Sequence, residues 1–167
     1  ETVRVQVDAS YFSGGPLNDA PVDWRLTASP YTFVWQDAPD GRYFSFQPYD
    51  PDDFNFDPYR YTYFGGLVRE GTGTTDAQGV LTLEVPADLG DSLTSQTWRF
   101  DATVQSSTNQ FVNAATTVPV HRAEFVIGLS PRSSVVLAGE ESLVDVVTLK
   151  SLGSPDNAPY PGAELDV

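Results

Sequence analysis

The chain has 167 residues, room for one or two domains, and its 40% hydrophobic and 13% aromatic content is ample for a packed core. A formal net charge of −14 is repelled by phosphate backbones and by anionic lipid surfaces, which argues against nucleic-acid binding and against direct membrane insertion. No cysteine is present, which excludes disulfides, thiolate zinc sites, cysteine nucleophiles and thioesters within these residues.

In chain order, Val3, Val5 and Val7 alternate with Arg4, Gln6 and Asp8, the mark of a strand with one face on a core and one in water. Gly14-Gly15-Pro16 and a polar turn follow. Val22, Trp24 and Leu26 then alternate with Asp23, Arg25 and Thr27. A polar strand ends near Thr74, and Thr75-Asp76-Ala77-Gln78-Gly79 reads as the turn of a hairpin. In that turn Asp76 bonds backbone groups two residues on and Gly79 takes a positive φ. Leu81, Leu83 and Val85 alternate with Thr82 and Glu84 until Pro86, which donates nothing to a ladder and stops the strand. Trp98, Phe100, Ala102 and Val104 alternate with Arg99, Asp101 and Thr103. A strand is expected from Phe111 to Val120, and Phe125, Ile127 and Leu129 are expected to face a core in the next. Trp24 and Trp98 are both expected on core faces. No stretch carries a 3.6-residue stripe, and thirteen Gly and thirteen Pro punctuate the strands, so the fold class is all-β and antiparallel, a β-sandwich.

Residues 36–66 interrupt this pattern. Aromatics and acids interleave there with prolines, through Trp35, Tyr43, Phe44, Phe46, Tyr49, Tyr59, Tyr61 and Tyr63. A long insertion without regular structure is often functional. Each ring buries roughly 150–250 Å², so the stretch is also able to fold back as a small satellite core. Trp35, Tyr43, Tyr49, Tyr59, Tyr61 and Tyr63 are the candidate partner surface, a stacking platform for a glycan or a peptide.

One phrase occurs twice. Val3 to Tyr11 leads through Gly14-Gly15-Pro16 into Ala20-Pro21-Val22-Asp23-Trp24, and Leu143 to Leu149 leads through Gly153-Ser154-Pro155 into Ala163-Glu164-Leu165-Asp166-Val167. Together with a break at Val118–Arg122, this places a first domain at 1–121 and a partial second at 122–167. The first domain is long enough for a sandwich with one insertion; the second, with three strands, is not. Its open edges invite strand exchange between molecules. The absence of Met, with Glu1 leading, is read as a start inside a longer polypeptide.

Catalytic chemistry finds no support. His121 is the only histidine and sits at a strand end, with no triad in view. Asp50, Asp52, Asp53 and Asp57 lie on one water-exposed segment, where neither an acid–base pair nor a shifted pKa is expected. Counted from Asp50, the sixth and twelfth positions are Asn55 and Tyr61, where an EF-hand needs Gly and Glu, so that match fails; the plain reading is a solvated acidic loop, and an irregular calcium site is its alternative. Gly71-Thr72-Gly73-Thr74-Thr75 lacks the Lys-Ser/Thr and the helix of a phosphate cradle. No catalytic residue, cofactor or metal is assigned, and the chain is read as not an enzyme.

The chain resembles the macroglobulin domains of bacterial α2-macroglobulins. The phrases that carry the likeness are Tyr11-Phe12-Ser13-Gly14-Gly15-Pro16 followed by Ala20-Pro21-Val22-Asp23-Trp24-Arg25-Leu26, the insertion up to Phe64-Gly65-Gly66, and Gly71-Thr72-Gly73-Thr74-Thr75-Asp76-Ala77-Gln78-Gly79. Phe125-Val126-Ile127-Gly128-Leu129, Ala138-Gly139-Glu140 and Gly162-Ala163-Glu164-Leu165 resemble the start of the next domain. The resemblance implies an Ig-/fibronectin-III-like sandwich, the third macroglobulin domain without its first strand, then the first three strands of the fourth. It implies a parent that is a broad-spectrum protease-trapping endopeptidase inhibitor, exported to the periplasm or the cell exterior of a bacterium. Neighbouring macroglobulin domains would be the partners, and proteases through the parent. The competing reading is an extracellular binding or adhesion module that uses the aromatic loop.

Overall fold

The computed structural model describes residues 2–36, 38–46, 66–90, 92, 94–151 and 158–162. They fall into two compact units: residues 2–30, 66–90, 92 and 96–120 form the first, and 31–36, 38–46, 94–95, 121–151 and 158–162 the second.

The first unit contains six strands: β1 (Thr2–Asp8), β2 (Pro21–Pro30), β3 (Gly66–Thr74), β4 (Val80–Pro86), β5 (Gln96–Gln105) and β6 (Phe111–Val120). β1 pairs with β4, and the other four form a sheet in the order β3-β2-β5-β6, with every pair antiparallel. The registers Val3↔Val85, Val5↔Leu83 and Val7↔Leu81 gather the apolar side chains of the small sheet on one face. In the large sheet Trp24↔Ala102, Leu26↔Phe100 and Ala28↔Trp98 do the same. The two faces meet in a core of Val22, Leu26, Val85, Trp98, Phe100, Ala102 and Val120, flanked by Val3, Val5, Val7, Trp24, Leu81 and Leu83. The period-2 pattern of these strands therefore marks buried faces as expected. Trp98 is 1% exposed. Trp24 is half-buried and stacks on Phe100 with centroids 5.8 Å apart.

The turn at Thr75–Gly79 has the expected chemistry but joins different partners. The Asp76 carboxylate accepts from the Gln78 and Val80 amides at 2.8 and 2.9 Å, and Gly79 has φ +78°. The strands it connects are not a hairpin: β3 pairs with β2 and β4 with β1, so the turn carries the chain from one sheet to the other. Glycine is the reason the two sheets approach here. A Cβ on Gly73 would lie 2.7 Å from Leu81 Cδ2, so β4 lies on the face of β3 and not beside it. Thr75 ties the turn to the β1–β2 link: its buried hydroxyl accepts from the Ala20 amide at 2.9 Å and donates to the Leu17 carbonyl at 2.6 Å.

The second unit is built on β7 (Phe125–Pro131) and β8 (Val144–Lys150), paired antiparallel. After β8 the chain returns alongside it, with Lys150 N–H bonded to the Ala158 carbonyl and Tyr160 N–H to the Thr148 carbonyl. The remainder of the second copy of the repeated phrase, residues 152–157 and 163–167, lies outside the described residues.

One face assignment is reversed. The sequence pointed Phe125, Ile127 and Leu129 at a core, yet Ile127 and Leu129 are 42% and 46% exposed, whereas Gly128 and Ser130 are buried. Both faces of this pair are apolar, with Val126, Val147 and Leu149 on one and Ile127, Leu129 and Val146 on the other. Period 2 separates the faces without saying which is covered. A segment far back in the sequence decides it. Ser45 exchanges backbone hydrogen bonds with Leu129 at 2.8 and 2.9 Å, and the Phe46 ring lies on Gly128, where a Cβ would be 2.5 Å from Phe46 Cε1. The described part of the 36–66 stretch up to Phe46 therefore groups with the second unit, where the sequence reading placed it in the first domain.

Candidate functional site

Of the six aromatic residues offered as a partner surface, Tyr49, Tyr59, Tyr61 and Tyr63 lie outside the described residues, as do Asp50, Asp52, Asp53 and Asp57. Trp35 and Tyr43 are described, and they behave differently. Trp35 is half-buried against Phe44, 5.4 Å between ring centroids, and Phe44 itself is 8% exposed. Tyr43 is 78% exposed. Alternation along an extended segment accounts for the contrast: Phe44 and Phe46 point to one side and Tyr43 to the other. Phe33 joins Phe46 edge-on at 4.7 Å, which makes a satellite core of Phe33, Trp35, Phe44 and Phe46. Phe125 and Tyr160 stack separately at 4.8 Å.

An ion cluster fastens the same segment. Arg42 lies over the Phe44 ring at 5.2 Å, bonds the Ser130 hydroxyl at 3.3 Å and reaches Asp145 Oδ2 at 2.5 Å. Arg132 binds Asp145 from the other side, with contacts of 2.8–3.1 Å. Hydrogen bonds from Arg132 and then Arg42 hold the Asp145 carboxyl down at about 2. With two guanidiniums on one carboxylate, the cluster has no free acid for proton transfer. Nothing in the local sequence signals it, because Arg42 and Asp145 are 103 residues apart.

His121 has no catalytic partner among the described residues. Its ring meets Tyr31 edge-on at 5.0 Å, and its buried Nδ1 has no hydrogen-bond partner among the described residues. Burial lowers its pKa below the ordinary value of 6.5. Neither a hydroxyl nucleophile nor an orienting carboxylate is hydrogen-bonded to it there. Among the described residues no three His, Cys, Asp or Glu side chains group to hold a metal ion, and no helix is long and apolar enough to cross a membrane.

Two concavities belong to the first unit. One is an open dish of about 560 Å³ over Asp23, Trp24, Arg25, Glu70, Gly71 and Asp101. Its charges are largely spent on neighbours: Arg25 pairs with Glu70 at 3.2 Å and Arg99 with Asp101 at 2.7 Å. The other is a narrow apolar groove of about 210 Å³ between β1 and β6, floored by Leu26, Val85, Trp98 and Phe100. Sequence reasoning missed this groove. The available signal was β6, whose Val112, Ala114, Thr116 and Val118 share the face of Trp98 and Ala102 through the pairing with β5.

No protein-family model and no curated protein matches the chain. Solved structures do. The chain is similar to an Escherichia coli α2-macroglobulin activated by porcine elastase (TM-score 0.61, 18% identity), covering 90% of this chain and 13% of that one. It is similar to a Salmonella α2-macroglobulin reacted with methylamine (TM-score 0.61, 14% identity), over 92% of this chain and 10% of that one. It is similar also to the trypsin-activated E. coli protein (TM-score 0.57, 18% identity), over 78% of this chain and 8% of that one. The chain thus spans about a tenth of the length of the structures it matches, and what it shares with that stretch of the bacterial α2-macroglobulins is the all-β antiparallel fold.

Proposed function

We propose that this chain is a non-catalytic scaffold piece of a bacterial α2-macroglobulin-like protein. Its two parts, 1–121 and 122–167, would correspond to one macroglobulin domain and the first strands of the next. The observation that carries the reading is the fold likeness over 90% of the chain, both units included. Such a piece positions neighbouring domains of the same polypeptide. Protease trapping and any thioester chemistry would reside elsewhere in the parent, since this stretch contains no cysteine. The parent would be exported, to the periplasm or the cell exterior, and would meet proteases as a whole. The paired charges of Asp145, Arg42 and Arg132, and a His121 Nδ1 with no hydrogen-bond partner among the described residues, fit a structural part.

The test uses the parent protein and the chain side by side. Cleavage of the parent by trypsin should yield a protease-containing complex with a changed sedimentation coefficient, while the 167-residue chain leaves trypsin activity untouched. A parent that is cut without retaining protease, or a chain that inhibits trypsin by itself, overturns the proposal. The competing reading, glycan or protein recognition by the aromatic loop, draws on the exposure of Tyr43, while the packing of Trp35 on Phe44 weighs against it. Glycan-array binding lost in Tyr43→Ala would favour it.

A further inference from the structure

From Arg42 to Phe46 the chain runs antiparallel along the edge of β7 opposite β8. Ser45 and Leu129 exchange both backbone hydrogen bonds. In an antiparallel pair a residue that gives both groups to one neighbour gives none to the other. Leu129 therefore faces Ser45, while Gly128 and Ser130 face β8. Arg132, two residues further on, keeps the same phase, with its N–H on the Leu143 carbonyl. This register sets Phe46 opposite Gly128, Phe44 opposite Ser130 and Arg42 opposite Arg132.

Side chains are recognised at each of those positions. The Phe46 ring occupies the space that a Cβ on Gly128 would take, 2.5 Å from Cε1 and 2.6 Å from Cζ, so the ring fits only against glycine. Phe44 is buried. Arg42 Nη2 donates to both Ser130 Oγ and Asp145 Oδ2, and its guanidinium lies over the Phe44 ring. Tyr43, between Arg42 and Phe44, points away and is exposed. Backbone bonds along a sheet edge, with a seat for every second side chain, are the geometry by which extended peptides are bound. Every one of these contacts lies within the second unit.

We propose that the β7–β8 pair is a peptide-recognition site, and that residues Arg42–Phe46 are its ligand, held in cis. The ligand is an extended segment with arginine at its first position and phenylalanine at its third and fifth. Asp145 and Ser130 select the arginine, Leu129 supplies the backbone bonds, and Gly128 admits the last ring. The first part of the aromatic insertion thus serves an internal partner, and only Tyr43 of this segment is left to face an external one. Because recognition rests on five consecutive residues, the same segment presented in trans takes the same seat once the resident one is weakened.

The experiment follows amide hydrogen exchange by NMR in the 167-residue chain. Ser45 and Leu129 amides should be protected in the unmodified chain, as should those of Gly128 and Ser130, which face β8. Arg42→Ala combined with Phe46→Ala should speed exchange at Leu129 by up to about tenfold, the effect of one lost hydrogen bond, and leave Gly128 and Ser130 protected. Adding the acetylated peptide Gly-Arg-Tyr-Phe-Ser-Phe, the sequence of residues 41–46, should restore protection at Leu129. The scrambled peptide Gly-Phe-Phe-Tyr-Ser-Arg should not, and the intact peptide should fail once Gly128→Ala is added. If the double variant loses protection at Gly128 and Ser130, β7–β8 has unfolded, and Arg42→Ala alone carries the same test. The proposal is overturned if Leu129 exchanges freely in the unmodified chain, if it stays protected in both variants, or if the peptide restores nothing. Equal rescue by the scrambled peptide, or rescue that survives Gly128→Ala, also overturns it.

Discussion

Gly71→Ala tests the packing of the first unit where a rigid ring lies over a strand. A Cβ at position 71 would lie 2.8 Å from Cζ2 and 3.0 Å from Cε2 of Trp24. The indole is stacked on the Phe100 ring and is too rigid to bend, so it can yield only by shifting as a unit and giving up that stacking. Overpacking of this kind costs ~1–3 kcal/mol, and replacing Gly by Ala returns ~0.4–1 kcal/mol through the unfolded chain. The net loss is therefore centred on ~1.3 kcal/mol, within about 0–2.6 kcal/mol, which lowers a urea midpoint by roughly 0.5–1 M at the m-values of small domains. Gly73→Ala is the internal comparison. Its contact, at 2.7 Å, is with Leu81 Cδ2, the end of a side chain with rotamers to spare, so its loss should be smaller. Tryptophan fluorescence in a Trp35→Phe background reads this unit alone, since the two remaining indoles, Trp24 and Trp98, both belong to it. Trp24→Leu in combination with Gly71→Ala should recover most of the loss as a coupling of ~0.5–3 kcal/mol. A Gly71→Ala chain as stable as the parent, or a double variant with no coupling, would show that Trp24 is not seated over β3.

Three further outcomes are expected. Trp98→Ala removes a side chain 1% exposed, with its Nε1 bond to Gln96 Oε1, and should cost ~3–5 kcal/mol in the same urea assay; a near-neutral variant would show that the β5 register is wrong. His121 is held neutral by burial, so its folded pKa lies below 6.5, and the stability it contributes is present above pH 6.5 and lost as pH falls through the folded value. An imidazole NMR titration with a midpoint at or above 6.5 would refute this. Asp145 has the complementary acid dependence: its carboxyl is lowered from 3.8 to about 2, so its contribution is present above pH 3.8 and lost as pH falls through about 2. Asp145→Asn should flatten the acid limb of a Trp35 fluorescence titration, and an unchanged acid limb would mean that the guanidiniums find other partners.

Strands β1, β2, β4 and β5 of the first unit were legible because each has one apolar face and one polar face. Val3, Val5 and Val7, or Trp98, Phe100 and Ala102, leave no choice about which side is buried. Where both faces are apolar, as in β7 and β8, alternation marks the strands and leaves the covered side open. The covering segment there comes from around Phe46, about eighty residues earlier in the chain. The aromatic stretch was likewise recognisable as able to pack on itself, but its destination rested on contacts at long sequence separation: Ser45 with Leu129, and Arg42 with Asp145. The acidic half of that stretch lies outside the described residues; of the six candidate aromatics, Trp35 is packed and Tyr43 open, and the other four are not described.

The glycines inside strands carried more of this information than their composition suggested. Gly71 is covered by Trp24, Gly73 by Leu81 and Gly128 by Phe46, and in each case a Cβ would fall within 3 Å of the covering side chain. None of the three has a positive φ, so a turn conformation does not explain them. Gly66, at the first position of β3, has open space above it and marks only a strand end. An interior strand glycine with ordinary dihedrals is thus the trace of a large side chain arriving from elsewhere. Applied to the Gly71-Thr72-Gly73 run, that rule turns a weak phosphate-loop signal into a packing one: two glycines, two residues apart, share the face on which Trp24 and Leu81 bring the two sheets together. Applied to Gly128, it identifies the buried face of β7 without reference to hydropathy. The same rule explains how the first unit closes over β3, where glycine admits the facing side chains.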